Sequence, residues 1–392
     1  HLYTTDAATG EKVPYNLHMR VREDESTLHL TTKDENGLED GKVTFYRSNM
    51  LWQSGSFENT NSGSKESLET YGFDIQKIFR KDFKNLGRHT FVGGVNYYMD
   101  RNTVVPAANN STPNGKQQVY GFYGQDEIIF PHGIVLTPSL RYDRYNTFAT
   151  RSSTSTSGAI LPKVTLAWHP NKNWMIYLSW GKNYRAPTLT ETNQNYTPSL
   201  NGYYFLPNKN LKPEMARTYE GGFSYTKDAL FAAHDHAAIR ATGFYEDATN
   251  LIQQTLVGYH YSPLYKAQEV NYQYTNVQHA TRYVVEVRAS YQLNNVNLGV
   301  SYSHLRVRAA QTGANLIAQP DKVAADIGYT FPKIGLTASY SLLAAEAQDY
   351  DSTLARRRPG YMVHDIFLNW QMPGKPWRVN FAITNLTNKT YY

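Results

Sequence analysis

The sequence predicts an all-β protein, a transmembrane antiparallel β-barrel. Three observations carry this. Segments of roughly ten residues alternate apolar with polar or small side chains. Connectors alternate between short turns and long polar loops. Tyrosine is abundant, 32 of 392 residues, while cysteine is absent.

The first stretch, residues 1–42, is polar and charged, as in Glu23-Asp24-Glu25-Ser26 and Lys33-Asp34-Glu35-Asn36-Gly37. It reads as loop with one or two early barrel strands. From about residue 43 to 392 the alternation is sustained, enough for about fifteen strands. In Ile134 to Asp143, Leu136, Leu140 and Tyr142 share one face. Thr137, Ser139, Arg141 and Asp143 share the other. Val296 to His304 and Gly335 to Leu342 repeat the pattern. Period two with one wet and one apolar face is a strand signature.

Pro131-His132-Gly133, Pro170-Asn171-Lys172-Asn173, Phe331-Pro332-Lys333 and Pro373-Gly374-Lys375-Pro376 are turn-like. The alternate connectors, near 102–116, 149–158, 186–215, 257–272, 310–320 and 349–359, are long. Aromatic residues near strand ends, such as Tyr142, Tyr145, Trp174, Trp180, Tyr391 and Tyr392, suit girdles at a membrane interface.

Composition excludes several classes. No apolar run approaches the roughly 18 residues of a membrane helix. Without cysteine there is no disulfide framework and no thiolate metal site. The chain opens at His1 with no signal-peptide pattern, so it reads as processed or partial. Net charge is +6, a mild excess that favours anionic partners such as lipopolysaccharide. No nucleic-acid motif, Gly-x-Ser-x-Gly elbow, His-Glu-x-x-His or phosphate loop occurs, so no catalytic residue is assigned and no enzyme is expected.

The most informative segment is a bracketed loop. Trp174 to Asn183 alternates as a strand and runs into Tyr184-Arg185-Ala186-Pro187. A polar, tyrosine-bearing loop follows. Asn208-Lys209-Asn210-Leu211-Lys212-Pro213-Glu214 then leads into a return strand. This describes a barrel hairpin with a working loop on top.

These residues resemble the paired boxes of TonB-dependent outer-membrane receptors, Phe-Arg-Ala-Pro and Asn-Pro-Asn-Leu in that family. The resemblance covers roughly residues 67–392. It includes Gln125-Asp126, Leu140-Arg141-Tyr142-Asp143, Pro162-Lys163, Tyr219-Glu220-Gly221-Gly222-Phe223, Tyr274-Thr275-Asn276-Val277 and Asn385-Leu386-Thr387-Asn388-Lys389. It implies a barrel of about 22 strands with a plugged lumen, of which this chain holds the later strands. The N-terminal plug is not in this chain, and a final strand is expected after Tyr392. Tyr184, Arg185, Ala186, Pro187, Asn208, Asn210 and Leu211 are expected to shape the loop, with Glu214 also architectural.

The haem and haemoglobin-uptake branch is nearest in resemblance, through Asp321-Lys322-Val323, Pro359-Gly360-Tyr361 and His364-Asp365-Ile366-Phe367-Leu368-Asn369-Trp370. Such receptors place an iron-ligating histidine between the boxes. Residues 188–207 contain Tyr196, Tyr203 and Tyr204 but no histidine. Tyrosinate also ligates ferric haem, so Tyr196 is the first candidate ligand, with Tyr203 and Tyr204 next. Phe205 could stack on a porphyrin. His260, in the next long connector, is a candidate second contact. Arg356-Arg357-Arg358 could attract propionates or lipopolysaccharide phosphates. His234-Asp235-His236 falls on the short-turn rim and reads as a turn, not a metal site.

The expectation is an active-transport receptor in the outer membrane of a Gram-negative bacterium. Haem is its transported ligand rather than a prosthetic group, and energy comes through the TonB complex. A haem-carrying protein and outer-membrane lipid are further expected partners. A ferric-siderophore receptor of the same fold is the alternative, and a passive porin or barrel enzyme a second.

Overall fold

A computed structural model of the chain describes residues 3–5, 12–14, 17–56, 65–105, 113–149, 155–195, 203–262, 267–310, 313, 318–349 and 357–390. Two short strands, β1 (Tyr3–Thr5) and β2 (Lys12–Pro14), pair with each other. The barrel begins with β3 (Leu17–Lys33), β4 (Glu39–Ser56), β5 (Lys65–Phe83), β6 (Gly87–Val105) and β7 (Gly115–Ile129). It continues through β8 (Ile134–Ala149), β9 (Ser155–Asn171) and β10 (Trp174–Arg185). A short helix, α1 (Leu189–Asn193), and strand β11 (Tyr203–Leu206) lie in the bracketed loop. Then come β12 (Glu214–Asp228), β13 (Asp235–Ser262), β14 (Ala267–Leu293), β15 (Val296–Ala309), β16 (Lys322–Phe331) and β17 (Leu336–Ala345). The loop strands β18 (Gln348–Asp349) and β19 (Arg357–Arg358) precede β20 (Tyr361–Gln371) and β21 (Arg378–Ile383).

Among the described residues, sixteen long strands follow one another around a barrel whose order returns from β21 to β3. Antiparallel ladders run strand to strand from β3 to β21. The all-β, antiparallel expectation therefore holds. Among the described residues no helix is long and apolar enough to cross a membrane.

The alternation sorts side chains as a membrane barrel requires. Leu178 (65% exposed), Ile160 (63%) and Leu140 (56%) project outward. The opposite face is a polar network. Arg141 donates to Asp143 at 2.9 Å and to Asn96 at 3.0 Å, and Tyr177 donates to Glu220 at 2.6 Å. Only nine apolar residues are buried among those described, so the interior is not a hydrophobic core. Five of them, Ala186, Leu211, Ala248, Ile252 and Ala280, lie where the bracketed loop meets the neighbouring strands.

Two departures from the sequence reading matter, both at one hairpin, and one early strand is located within residues 1–42. The connector expected at 257–272 is instead the top of a long hairpin, because β13 runs to Ser262 and β14 starts at Ala267. Gly258 looked like a loop residue, but a register shift between Leu256 and Gly258 absorbs it as a bulge. His260 therefore sits in a strand. The acidic run Glu23-Asp24-Glu25 lies within β3, a 17-residue strand paired along its whole length with β4. Leu17, Met19 and Val21 alternate with polar residues at its start, but Glu23 and Glu25 interrupt that face, and Leu28 and Leu30 resume on the other.

The short-turn rim is built from local hydrogen bonds. Asp235 accepts the backbone N–H groups of Leu230, Phe231 and Ala232, and the Tyr291 hydroxyl at 2.9 Å. His236 pairs with Asp228 at 2.7 Å. Arg357 and Arg358 form β19, while Arg356, Tyr391 and Tyr392 lie outside the described residues.

Gly133 closes the turn after Pro131 with φ +74, and a Cβ there would collide with the His169 carbonyl. Gly37 has a similar φ of +66 but open space around it. Gly133→Ala should cost roughly 1–3 kcal/mol. It should lower the temperature at which the barrel loses its compact, heat-resistant band on a gel. Gly37→Ala should shift that temperature less.

Candidate functional site

The bracketed loop is a strap tied across one sector of the barrel mouth. Its base is the β10–β12 ladder, which ends on the pair Arg185 and Glu214. Arg185 donates from Nε to Glu214 Oε2 at 2.7 Å and from Nη2 to Oε1 at 2.5 Å. Its Nη1 reaches both oxygens of Glu191, at 3.0 and 2.9 Å. A guanidinium fork held by two carboxylates fixes position and orientation together. Glu191 is placed by α1, whose N-cap Thr188 exchanges hydrogen bonds with Glu191 in a capping box. Glu214 also accepts the Ile252 N–H at 2.7 Å.

Arg185 and Glu214 stand beyond the aromatic residues Trp180 and Tyr219, outside the membrane-spanning part of the strands. Burial alone would raise the Glu214 pKa. The Arg185 hydrogen bonds and the Ile252 N–H outweigh it and leave the carboxyl below its usual 4.5.

From this base the strap reaches both ways. Toward β7 and β8, Gln117 donates to the Pro187 carbonyl at 3.2 Å, and α1 packs against both strands. A Cβ on Gly115 would meet Leu189 Cδ1 at 2.8 Å, so glycine permits that approach. Toward β14, strand β11 pairs in parallel, Tyr203 opposite Val270 through Leu206 opposite Gln273. It occupies the edge of β14 that β15 leaves free above Ala280. The second box ties this end. Asn208 Nδ2 donates to the Tyr274 carbonyl at 2.8 Å, and its Oδ1 accepts the Asn210 N–H at 3.0 Å. Asn276 accepts from Lys212 N at 2.8 Å and donates to the Lys212 and Asn250 carbonyls. Ala186 and Leu211 are buried at 5% and 7% exposure. Tyr184 bonds Ser157 and packs on Tyr145, ring centroids 5.2 Å apart.

The three strands β13, β14 and β11 form a small sheet above the rim. On one face Tyr203, Phe205 and Tyr272 cluster, with centroids 5.6 to 6.3 Å apart. On the other, the Tyr204 ring meets His260 edge-on at 5.6 Å, and its hydroxyl donates to Asn195 at 2.6 Å. His260 Nδ1 lies 2.6 Å from Asn271 Oδ1 and Nε2 3.0 Å from Glu269 Oε2. Glu269 is 1% exposed, and neither oxygen makes a well-aligned hydrogen bond. The sheet thus brings Tyr203, Tyr204 and His260 together. Tyr196 lies outside the described residues. Among those described, no cluster of three metal-binding side chains occurs.

Sequence reasoning passed over Glu191, Glu269, Asn271 and Tyr272. The Thr188-x-x-Glu191 spacing was a visible capping-box signal. Nothing local distinguished Glu269 from a surface glutamate.

An apolar outer belt, a polar lumen and a strapped mouth define a receptor barrel of the outer-membrane type. The model for "TonB dependent receptor-like, beta-barrel" matches residues 6–386, and the chain belongs to that family. Its relatives include the heme/hemopexin utilization protein C of Haemophilus influenzae (strain 86-028NP), 26% identical over 361 residues, covering 84% of this chain and 49% of that protein. The hemin receptor of Yersinia enterocolitica is 23% identical over 337 residues, covering 82% and 49%. Among solved structures, the Serratia marcescens hemophore receptor HasR, in complex with its hemophore HasA and heme, superposes with TM-score 0.80 at 18% identity, covering 96% of this chain and 64% of that one. The siderophore receptor PirA of Acinetobacter baumannii shares the fold at TM-score 0.71 and 15% identity, covering 97% and 59%. The chain spans about half the length of the curated relatives it matches. The Yersinia, Serratia and Acinetobacter proteins are named as receptors.

Removing the fork should free the strap without unfolding the barrel. Arg185→Ala should cost roughly 1–3 kcal/mol locally, discounted for solvent screening. Trypsin should then cut after Lys209 while the heat-resistant band persists. Because the Glu214 pKa is lowered, the anchor is whole above pH 4.5 and fades as pH falls through the folded value. The protection factor of the Ile252 amide, the measured exchange rate divided into the intrinsic rate at each pH, should fall only in that acid range.

Proposed function

We propose that this chain is the barrel portion of an outer-membrane receptor of a Gram-negative bacterium. It binds an iron-bearing ligand, haem foremost, and passes it inward using energy delivered through TonB. The observation that carries this reading is the sheet of β11, β13 and β14 above the mouth. There the strap's Tyr203, Tyr204 and Phe205 stand beside His260 and Tyr272. Flat aromatic faces beside oxygen and nitrogen donors suit a planar, conjugated, iron-containing molecule. The names of the relatives above support the same choice.

The box residues have an architectural role here. Arg185, Asn208 and Glu214 spend their hydrogen bonds on closing the strap and tying it to β13 and β14. The iron ligand in this reading is Tyr196, chosen because it falls in the first half of the sequence between the two boxes, with His260 and Tyr204 as contacts. A plug domain, the haem-carrying protein and the TonB complex are the partners this reading requires. A siderophore receptor is the second reading, favoured by the shared barrel of PirA.

Haemin titrated into the whole receptor should give a tyrosinate-type Soret spectrum. Tyr196→Ala should abolish it, and His260→Ala should weaken binding about tenfold, roughly 1.4 kcal/mol. An unchanged spectrum in Tyr196→Ala sinks that assignment. If deletion of the receptor abolishes growth on a ferric siderophore but not on haemin, the siderophore reading replaces it.

A further inference from the structure

The outer surface of β10 to β15 carries a pattern that ligand import does not use. Residues opposite one another in an antiparallel ladder share a face, and that face recurs every second residue. Trp180 pairs with Tyr219, Tyr219 with Tyr245, and Tyr245 with Tyr283. This is a continuous aromatic row across four strands. Tyr219 is 52% and Tyr283 43% exposed, so the row faces outward. Two residues nearer the strap the same strands carry Lys182, Arg217, Asp247 and Thr281, and β15 adds Arg308. Lys182, Arg217 and Arg308 make no ion pair among the described residues. Asp247, the acidic member, pairs with His279 at 3.5 Å. Arg306, beside Tyr283, is committed to Asp321 at 2.7 Å and Glu346 at 3.5 Å.

Two residues the other way, the aromatic row overhangs a groove of about 640 Å³. Its floor is Gly221 opposite Gly243, and its walls are Leu166, Leu178 and Val285. The missing side chains make the hollow. A Cβ on Gly243 would find only ordinary contacts, Val284 O at 3.7 Å and Val285 Cγ2 at 4.0 Å. Reading outward along the strands, the surface offers an apolar slot, an aromatic row, then free cations.

We propose that this face is a binding site for a phosphorylated, acylated glycolipid of the outer leaflet, of the lipid A class. An acyl chain fills the groove over Gly221 and Gly243. The aromatic row meets the boundary between chains and sugar, where tyrosine and tryptophan are favoured. Lys182 with Arg217 takes one phosphate, and Arg308 takes a second. The two cation groups lie up to four strand spacings apart, roughly 19 Å at about 4.8 Å each. A headgroup with phosphates at both ends of a sugar backbone matches that separation better than a single phosphodiester. Among other outer-rim cations, Arg101 and Arg144 are likewise outside any ion pair among the described residues but do not border this groove, and two more are engaged. Arg47, over the Tyr71 ring, pairs with Glu69 at 3.8 Å, and Lys116 sits over the Phe148 ring.

The test uses the whole receptor in mild detergent, with bound lipid counted by native mass spectrometry and compact folding verified by heat-resistant migration. Lipid A should bind the wild type, while dephosphorylated lipid A binds more weakly. Phosphatidylglycerol and inorganic phosphate should compete poorly. Lys182→Gln with Arg217→Gln should weaken lipid A binding about thirtyfold. Gly243→Leu should weaken it by filling the slot while leaving every cation in place, and Arg308→Gln serves if the double variant fails to fold. Haemin binding, read in parallel, should be unchanged in all three. Undiminished lipid A binding in the folded variants overturns the proposal. So does competition by phosphatidylglycerol equal to that by lipid A, which would mark the face as a general lipid contact.

Discussion

Hydrocarbon offers no hydrogen-bond partners, and that single constraint organises this chain. Every backbone N–H and C=O inside a bilayer must find a partner in the protein. The ladders from β3 to β21 meet this demand strand by strand. The remaining features are consequences. Alternation must put apolar groups outside and polar groups inside, because neighbouring strands occupy both lateral edges. The interior then cannot be a hydrophobic core, and polar pairs such as Tyr177 with Glu220 fill the lining instead.

Above the rim the constraint lifts, and the chain is free to do something other than pair with its sequence neighbour. Strand β11 uses that freedom. It passes β12 and β13 and adds in parallel to β14. Parallel addition over four residues is a weak attachment by itself. It holds because the same segment is pinned by Asn208 and Asn276 beside it and by the Arg185 fork at the base. The strap is therefore positioned by polar contacts at both ends, and its aromatic side chains are presented rather than consumed by packing against a core.

How much of this was legible in the sequence follows from range. Strand faces and short turns are local properties, so Leu140 outside and Arg141 inside could be read directly. The boxes marked where the strap begins and ends. What could not be read was its landing place, because no local signal couples Tyr203 to Val270. The hairpin top was misjudged for a related reason. Gly258 and Pro263 carry loop chemistry, yet Tyr259 and Tyr261 continue the strand through a bulge. Glu269 was invisible because burial, not residue type, makes it unusual.

The parallel pairing of β11 also fixes an order of assembly. Its partner is made later in the chain, and loop closure over that span is repaid only once the partner is in place. Strands β12, β13 and β14 must therefore form their hairpins before β11 can settle. The mouth is completed after the wall beneath it. A barrel caught midway through insertion would already be sealed against lipid in that sector, yet would present no finished binding surface to the outside.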